Sequence, residues 1–292
     1  HGRHYGQPLE EIMISQANDR PLMGNGMQHQ ARKRFGQNFL HDQSIIDRII
    51  YSINPQVGDH LVEIGPGQGA ITNPLASVGA RLDCIELDRD LTKYLKANFK
   101  PLDHVTIHQQ DILKFEVAQL NTDDHSLRVI GNLPYNISTP VLFHLIKSHN
   151  LIRDMTFMLQ LEVVQRMSAS VGDKNYGRLG IMLQYYCEVE HLFNVPATAF
   201  KPQPKVNSAI VRLTPHKQKP IIAQDIKMLE LVVRSAFNQR RKTLRNSLKK
   251  LISDSGLTDL SVDLSLRPEN LSLTEYVQIS DALSSAGHNQ QS

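Results

Sequence analysis

The sequence His60-Leu61-Val62-Glu63-Ile64-Gly65-Pro66-Gly67-Gln68-Gly69 joins a short apolar run to three glycines. The run predicts a buried strand, and the apolar residues between 70 and 78 recur at the spacing of a helix. A glycine-rich turn between a strand and a helix lets a ligand approach the backbone closely and points the helix N-terminus at it. The stretch therefore predicts a nucleotide-type site on an open α/β sheet.

The glycines leave two classes of cofactor open. The spacing Gly65-x-Gly67-x-x-Ala70 also fits the looser dinucleotide pattern, so it does not separate a methyl donor from a nicotinamide cofactor. Glu86 ends the second predicted strand, where its carboxylate can accept both hydroxyl hydrogens of a ribose, and both cofactors contain one. Asp111 follows the third strand and can accept from an exocyclic amino group, beside an apolar wall at Ile112. The alternative role of Asp111 is the N-cap of the following helix.

Strands and helices alternate along the first two thirds of the chain. Successive strands separated by helices predict a parallel sheet with helices on both faces, and two later runs predict an antiparallel edge. After the polar linker at residues 215–220, every apolar pattern is helical. We therefore predict an α/β fold with a mostly parallel sheet and an antiparallel edge, plus a small all-helical C-terminal domain. The predicted parts are a poorly ordered N-terminal arm (1–28), the α/β domain (29–215) and the helical domain (216–292).

The composition limits the classes of protein to which this sequence can belong. The 292 residues are 40% hydrophobic and 21% charged, which is typical of globular domains with a buried core. No run approaches the roughly 20 apolar residues that span a bilayer, and no signal sequence opens the chain, so we expect a cytoplasmic protein without a membrane partner. Cys84 and Cys187 are far apart, and the thirteen histidines lack ligand spacing. We therefore expect core thiols, no disulfide framework and no structural metal.

A polar amide, a proline and an aromatic ring follow the fourth predicted strand in Asn132-Leu133-Pro134-Tyr135. Open α/β sheets bind ligands at the carboxyl ends of their strands, although these residues also favour an ordinary turn. The next helix is predicted to begin with a cap from Ser138-Thr139. Farther along the chain, two alternate prolines force an extended backbone that presents Phe200 at a fixed angle.

Positive charge is concentrated in two places, although the net charge is only +3. A basic triplet occurs at Arg32-Lys33-Arg34, and residues 234–250, the basic segment, contain seven basic side chains and no acidic one. Arg241, Arg245 and Lys249 recur every four residues, so on one helix they would share a face that can track a phosphate backbone. The alternative is a solvated helix face.

Seven stretches together resemble the ribosomal RNA adenine N6-dimethyltransferases. They are Gly36-Gln37-Asn38-Phe39-Leu40, Glu63-Ile64-Gly65-Pro66-Gly67-x-Gly69, Glu86-Leu87-Asp88, Gln110-Asp111, Gly131-Asn132-Leu133-Pro134-Tyr135-Asn136-Ile137-Ser138, Phe200-x-Pro202-x-Pro204-x-Val206-x-Ser208 and Phe237-Asn238-Gln239-Arg240-Arg241-Lys242-Thr243. The resemblance runs in register from about Gln28 to about Leu283, and within the family it is greatest with the bacterial small-subunit enzymes. The combination is highly specific, whereas the glycine turn alone would be a weak signal.

The resemblance implies a class I methyltransferase fold, which is Rossmann-like, and the use of S-adenosylmethionine with S-adenosylhomocysteine as product. It also implies that two methyl groups are placed on N6 of each of two adjacent adenosines in a 3′-terminal hairpin of 16S rRNA. The expected partner is this rRNA within an assembling small ribosomal subunit. The enzyme is expected to act as a monomer in ribosome biogenesis.

The positions that match the family carry expected roles. The Asn132 side-chain oxygen and the Leu133 carbonyl would accept the N6 hydrogens, while Tyr135 and Phe200 would stack on the two faces of the base. Pro134 completes this catalytic set. The expected cofactor contacts are Gln37, Asn38, Leu40, Gly65, Gly67, Glu86, Leu87, Asp111, Ile112 and Asn132. The expected RNA contacts are Arg32, Lys33, Arg34, Arg240, Arg241, Lys242, Arg245 and Lys249.

Two other functions compete with this interpretation. A nicotinamide-dependent oxidoreductase would share the glycine turn, but it needs a hydride-transfer partner that we do not find in the sequence. It would also leave Asn132-Leu133-Pro134-Tyr135 without a role. A non-catalytic assembly factor would use the fold only to bind pre-ribosomes, and that activity can coexist with catalysis.

Overall fold

The computed structural model describes residues 38–120, 123, 125–257 and 260–289. The predicted N-terminal arm lies outside these residues. The helices and strands in chain order are β1 (Phe39–Leu40), α1 (Gln43–Ile53), β2 (His60–Ile64), α2 (Thr72–Ser77), β3 (Arg81–Glu86), α3 (Arg89–Phe99), β4 (Val105–Gln109), β5 (Leu127–Asn132), α4 (Ser138–Ile146), β6 (Ile152–Gln160), α5 (Leu161–Met167), α6 (Arg178–Tyr186), β7 (Cys187–Val195), β8 (Phe200–Lys201), β9 (Ser208–Pro215), α7 (Ile226–Asn238), α8 (Leu244–Ser247), α9 (Lys249–Ser255) and α10 (Leu273–Asn289).

A seven-stranded sheet with the order β4-β3-β2-β5-β6-β9-β7 forms the centre of the α/β region. The strands from β4 to β6 pair in parallel, whereas β9 pairs antiparallel with both β6 and β7. The mostly parallel sheet and its antiparallel edge are therefore confirmed. Chain order reverses at β2, which lies between β3 and β5, and ligands of open α/β sheets bind in the crevice outside such a switch point.

Helices cover both faces of the sheet. Alternate residues of each strand therefore belong to different hydrophobic cores. Val62 lies in the core that includes α4, α5 and α6, whereas its neighbour Leu61 lies in the core that includes α1, α2 and α3. Val129 and Ile130 of β5 divide between the two cores in the same way. Since the side chains of a strand point alternately to opposite faces, strands covered on both sides read as nearly continuous apolar runs.

The helices α7 to α10 pack in a third core, which confirms that the C-terminal region is helical. This core also includes residues from the α/β part of the chain, notably Tyr176 before α6 and Ile181 and Tyr185 within it. The opposite side of α6 contributes Leu179 and Leu183 to the core of the sheet. One helix is therefore shared by the two regions.

Two local predictions are wrong. The helix α4 begins at Ser138 without a side-chain cap, and the Ser138 hydroxyl instead donates to the carbonyl of Tyr135 at 3.3 Å. In the basic segment, α7 ends at Asn238 and Arg241 lies in the connection before α8, so the four-residue repeat does not lie on one helix. The backbone N–H groups of Leu244 and Arg245 donate to the carbonyls of Leu266 and Leu264, and these contacts with a distant segment replace helical bonds.

Among the residues that the structure describes, no helix is long and apolar enough to cross a membrane. The same residues include no group of three or more His, Cys, Asp or Glu side chains that could hold a metal ion. Cys84 and Cys187 are buried free thiols, as the sequence predicts.

Candidate active site

A cavity of about 310 Å³ lies at the carboxyl ends of the central strands. It is lined by the glycine turn after β2, the end of β3, Asp111-Ile112 after β4, and the stretch Asn132–Tyr135 that begins at the end of β5. All the described cofactor and catalytic candidates line it, including Asn38, Leu40 and Phe200. Gln37 lies outside the described residues. The structure therefore brings residues that are far apart in the sequence to one site of the size typical for ligands.

Glycine is required at two positions beside this cavity, for different reasons. Gly67 has a φ of +59°, a left-handed conformation that side chains rarely adopt, and a Cβ atom there would lie 3.3 Å from the Phe39 ring. In β5, a Cβ atom on Gly131 would lie 2.8 Å from the carbonyl oxygen of Ile64. Since Ile64 and Gly131 are paired in register, the glycine turn and the Asn132 stretch leave the sheet side by side.

Glu86 connects the two loops on the cofactor side of the cavity. Its Oε1 accepts from the Asp88 N–H at 2.8 Å, and its Oε2 accepts from the Gly67 N–H at 3.3 Å. Burial raises the pKa of this carboxyl group, although both hydrogen bonds oppose the rise. The two bonds occupy one acceptor site on each oxygen, so the carboxylate keeps the capacity to accept hydroxyl hydrogens from a ligand.

Glu63 also lines the cavity, and our sequence reasoning did not include it among the site residues. Its side chain is buried, and the Cys84 thiol donates to its Oε2 at 3.8 Å. Burial raises the pKa of Glu63 to about 7, and the charge of Glu86 adds to this rise. The available signal was an acidic residue inside an otherwise apolar strand, directly before the glycine turn, because buried carboxyl groups are rare without a function.

The region after β4 provides both a polar and an apolar group. Asp111 accepts from the Leu113 N–H at 3.0 Å, so its alternative role as an N-cap is confirmed for a short 3₁₀ turn. Capping uses one carboxylate oxygen, and Asp111 still lines the cavity together with the buried Ile112. Leu87 is on the cavity lining as well, although 53% of it is exposed. Capping and ligand binding are therefore compatible at Asp111.

The side chain and backbone of the Asn132 stretch are held by neighbouring segments. The Asn132 side-chain NH₂ donates to the carbonyl of Asn38 at 3.4 Å, which orients the amide and leaves its oxygen for other contacts. The Leu133 N–H donates to the carbonyl of Met158 in β6 at 3.3 Å. The Pro134 carbonyl accepts from the N–H groups at the start of α4. The stretch is thus fixed on both sides by backbone groups.

Two aromatic side chains line the same cavity. Tyr135 is half-buried, and its hydroxyl lies 3.0 Å from the Ser208 hydroxyl. Phe200 is buried in β8, which pairs with β1 in a separate two-stranded sheet that matches Leu40 with Phe200. Through this pairing, the β1 segment that contacts Asn132 also holds the segment that contains Phe200.

The described RNA candidates are Arg240, Arg241, Lys242, Arg245 and Lys249, and all five are exposed. None of them lines the cavity. The Arg240 guanidinium donates to the carbonyl of Lys174 at 2.5 Å, which connects the basic segment to the loop before α6. Arg32, Lys33 and Arg34 lie outside the described residues. The five cations therefore lie on the surface of the protein, outside the cavity.

The strand order and the cavity at its switch point are those of the class I methyltransferase fold. Solved structures support the fold: a dimethyladenosine transferase from Plasmodium falciparum is 24% identical with a TM-score of 0.71, covering 85% of this chain and 98% of that one. The 23S rRNA methyltransferase ErmE is also 24% identical, with a TM-score of 0.62 and coverage of 85% and 100%.

The chain belongs to the ribosomal RNA adenine dimethylase family, whose model matches residues 28–285. It is 57% identical over 261 residues to ribosomal RNA small subunit methyltransferase A of Pseudomonas putida, covering 89% of this chain and 98% of the relative. The protein of that name from Marinobacter nauticus is 54% identical over 265 residues, with coverage of 91% and 96%. The protein is therefore an S-adenosylmethionine-dependent rRNA adenine dimethyltransferase.

Proposed function

We propose that this enzyme places two methyl groups on N6 of each of two adjacent adenosines in a 3′-terminal hairpin of 16S rRNA. We further propose that it acts as a monomer in the cytoplasm, on an assembling small subunit. The observation that carries the proposal is the convergence of the glycine turn and Asn132-Leu133-Pro134-Tyr135 on one cavity. The names of the relatives, which refer to the small subunit, support the choice of RNA.

The residues of the cavity fit the methyl donor. Glu63 and Glu86 are buried carboxyl groups with raised pKa values, and they line a cavity that is otherwise largely apolar. Such groups are stabilised as anions by a ligand with positive charge, and S-adenosylmethionine carries a sulfonium and an ammonium group. We propose that Glu86 holds the ribose, Asp111 the adenine amino group, and the glycine turn the methionine end.

On the acceptor side, the protein has to direct the lone pair of a poor nucleophile. The N6 lone pair of adenine is delocalised into the ring. If the Asn132 side-chain oxygen and the Leu133 carbonyl accept the two N6 hydrogens, the nitrogen can become pyramidal and its lone pair can point at the donor. S-adenosylmethionine supplies a methyl group that is already activated for transfer, so the protein contributes mainly position and a dry site.

The aromatic residues would hold the base while these acceptors orient its amino group. Tyr135 and Phe200 both line the cavity, and stacking on an aromatic ring stabilises a flipped base by about 1–3 kcal/mol. We propose that the two rings cover opposite faces of the adenine. No strong base is required near N6, because the methylated nitrogen is acidic enough to lose its proton afterwards.

RNA binding is proposed to involve a second region of the chain. We assign it to residues 216–292, next to a methyltransferase domain at 29–215. The five exposed cations from Arg240 to Lys249 are the described candidates for phosphate contacts. The interaction of Arg240 with Lys174 would hold this surface next to the α/β region. Such contacts would bind RNA without reading the sequence of the bases.

The experiment is transfer of tritiated methyl groups to small subunits isolated from a strain that lacks this modification. We expect label in 16S rRNA, at two adjacent adenosines near the 3′ end, with dimethyladenosine as the final product. Asn132→Ala is the matched control, and it should lower the transfer rate by at least about 100-fold, because an acceptor for the reacting amino group is lost. Label at another position, or only in large-subunit RNA, would contradict the proposal.

A further inference from the structure

The hydroxyl of Tyr135 is held by a residue that lies outside the cavity. Ser208 is only 1% exposed and does not line the cavity, but its hydroxyl is 3.0 Å from that of Tyr135. Ser208 is the first residue of β9, where it pairs with Gln160 of β6 and Val195 of β7. The serine therefore cannot touch the base or the methyl donor, and any effect on the reaction has to pass through Tyr135.

Two hydrogen bonds hold Tyr135, one at its backbone and one at the end of its side chain. Its backbone carbonyl accepts from the Ser138 hydroxyl at 3.3 Å, and its phenol hydroxyl is bonded to Ser208. The hydroxyl of a tyrosine lies on the long axis of the ring, so holding it fixes the direction of this axis. The contact with Ser208 therefore determines where in the cavity the ring lies.

Ser208 is itself rigidly placed. The residue before it, Asn207, accepts the Ala197 N–H with its side chain at 3.0 Å and the Leu161 N–H with its carbonyl, also at 3.0 Å. These bonds join the start of β9 to the segments after β6 and β7. A hydroxyl group on such a rigid backbone can orient the side chain of Tyr135 better than the hydroxyl of an exposed serine could.

We propose that Ser208 is a positioning residue that holds the ring of Tyr135 against the target adenine, and that the second methyl transfer depends on it more than the first. This inference rests on the proposed function, because it assumes a base stacked on Tyr135. It also gives a role to the last residue of the stretch Phe200-x-Pro202-x-Pro204-x-Val206-x-Ser208. One segment contributes an aromatic wall directly through Phe200 and supports the other wall through Ser208.

The two transfers differ in how the amino group is held. An unmodified adenine offers two N6 hydrogens, one for Asn132 and one for Leu133, whereas a monomethylated adenine offers only one. Stacking on the ring is the same for both substrates. Since the monomethylated adenine has one hydrogen bond fewer, its orientation depends more on stacking than that of the unmodified adenine. A ring that is free to change its direction should therefore slow the second transfer more than the first.

The test is the ratio of monomethyladenosine to dimethyladenosine formed by Ser208→Ala, measured by nucleoside mass spectrometry during a time course on unmethylated small subunits. We expect the second transfer to slow by about 3- to 10-fold, the effect of one lost hydrogen bond, and the first by less than about twofold. Because the same enzyme molecules make both products, the ratio at equal total methyl incorporation does not depend on how much of the variant is folded.

Tyr135→Phe removes the same hydrogen bond from the other side and keeps both the ring and Ser208. It should cause the same accumulation of monomethyladenosine, and the double variant should show no further change. Ser208→Thr keeps the hydroxyl and should keep the ratio of the unmodified enzyme. If Ser208→Ala does not fold, Tyr135→Phe alone still tests the prediction.

Two results would overturn the inference. Equal slowing of both transfers by Ser208→Ala would assign the serine to the packing of β9, as would an unchanged ratio in Tyr135→Phe. In both cases the unmodified enzyme would still dimethylate 16S rRNA, and the proposed function would stand. Failure of the unmodified enzyme to methylate that RNA would instead remove the proposed function.

Discussion

The two buried carboxyl groups of the cavity differ in how strongly the protein stabilises their charge. Glu86 accepts hydrogen bonds from the backbone N–H groups of Gly67 and Asp88, whereas Glu63 interacts with the side chains of Thr72 and Cys84. Burial therefore has the larger effect on Glu63, whose pKa rises to about 7. A carboxyl group in this range changes its charge near physiological pH.

This pKa predicts how stability without the cofactor depends on pH. Between its ordinary pKa of 4.5 and its folded value of about 7, Glu63 binds more protons in the folded than in the unfolded state. Its contribution to the free energy of unfolding is therefore greatest at low pH and falls by about 3 kcal/mol, to order of magnitude, as pH rises through this range. Urea unfolding at pH 5 and pH 8 measures the difference.

Glu63→Gln should remove that part of the pH dependence, because glutamine does not titrate. The stability of the variant relative to the unmodified protein should therefore be higher at pH 8 than at pH 5. Glu188→Gln is the matched control, since Glu188 lies on the surface, and it should leave the pH dependence unchanged. A stability difference for Glu63→Gln that is the same at both pH values would show that Glu63 is not protonated in the folded protein.

At the scale of elements, the close pairing of β2 and β5 brings the cofactor and acceptor loops together. Gly131 is the last residue of β5 before Asn132, and it faces the Ile64 carbonyl at the end of β2. A side chain here would push apart the two strands whose ends form the site. The requirement for glycine comes from this pairing and cannot be read from the local sequence.

Gly131→Ala should lower the free energy of unfolding by about 1–3 kcal/mol, because the new Cβ atom would lie 2.8 Å from a backbone oxygen that cannot move freely. Urea denaturation measures the loss. Gly58→Ala is the control, since a Cβ atom at Gly58 meets nothing within 4 Å. Equal stability of the two variants would show that β2 and β5 can separate at no cost.

Helix boundaries show where periodicity in the sequence is insufficient. The buried apolar residues of α1 recur at the spacing of a helix, and Asp42 caps the helix by accepting from the N–H groups of Ser44 and Ile45. In the basic segment, a similar spacing of cations did not correspond to one helix. The backbone donors of Leu244 and Arg245 bond to residues about twenty positions later, and such distant partners leave no local signal.

At the scale of the whole molecule, the chemical site and the basic surface are formed by different parts of the chain. The cavity lies at the switch point of the sheet, whereas the exposed cations lie between α7 and the start of α9. Positive charge on such a surface increases affinity through the release of counterions from RNA. Binding and chemistry should therefore respond to different substitutions.

Reversal of charge in Arg245→Glu with Lys249→Glu should weaken RNA binding and lower its salt dependence. Each lost phosphate contact should reduce the slope of log affinity against log salt concentration by about 1. Affinity for S-adenosylhomocysteine, measured by calorimetry, should not change. Lys100→Glu is the control, because Lys100 is exposed at the end of α3 and outside the basic segment. Unchanged RNA affinity in the double variant would remove both residues from the interface.

The order of amino acids was sufficient to predict the strands of the seven-stranded sheet, the helical C-terminal region, and about half of the residues that line the cavity. This was possible because buried strands, glycine turns and capped helices depend on neighbours that are close in the sequence. The raised pKa of Glu63, the need for glycine at 131 and the contact between Ser208 and Tyr135 became visible only in the folded chain. Each of them depends on groups brought together from distant parts of the chain, and burial and distance between such groups have no counterpart in a linear sequence.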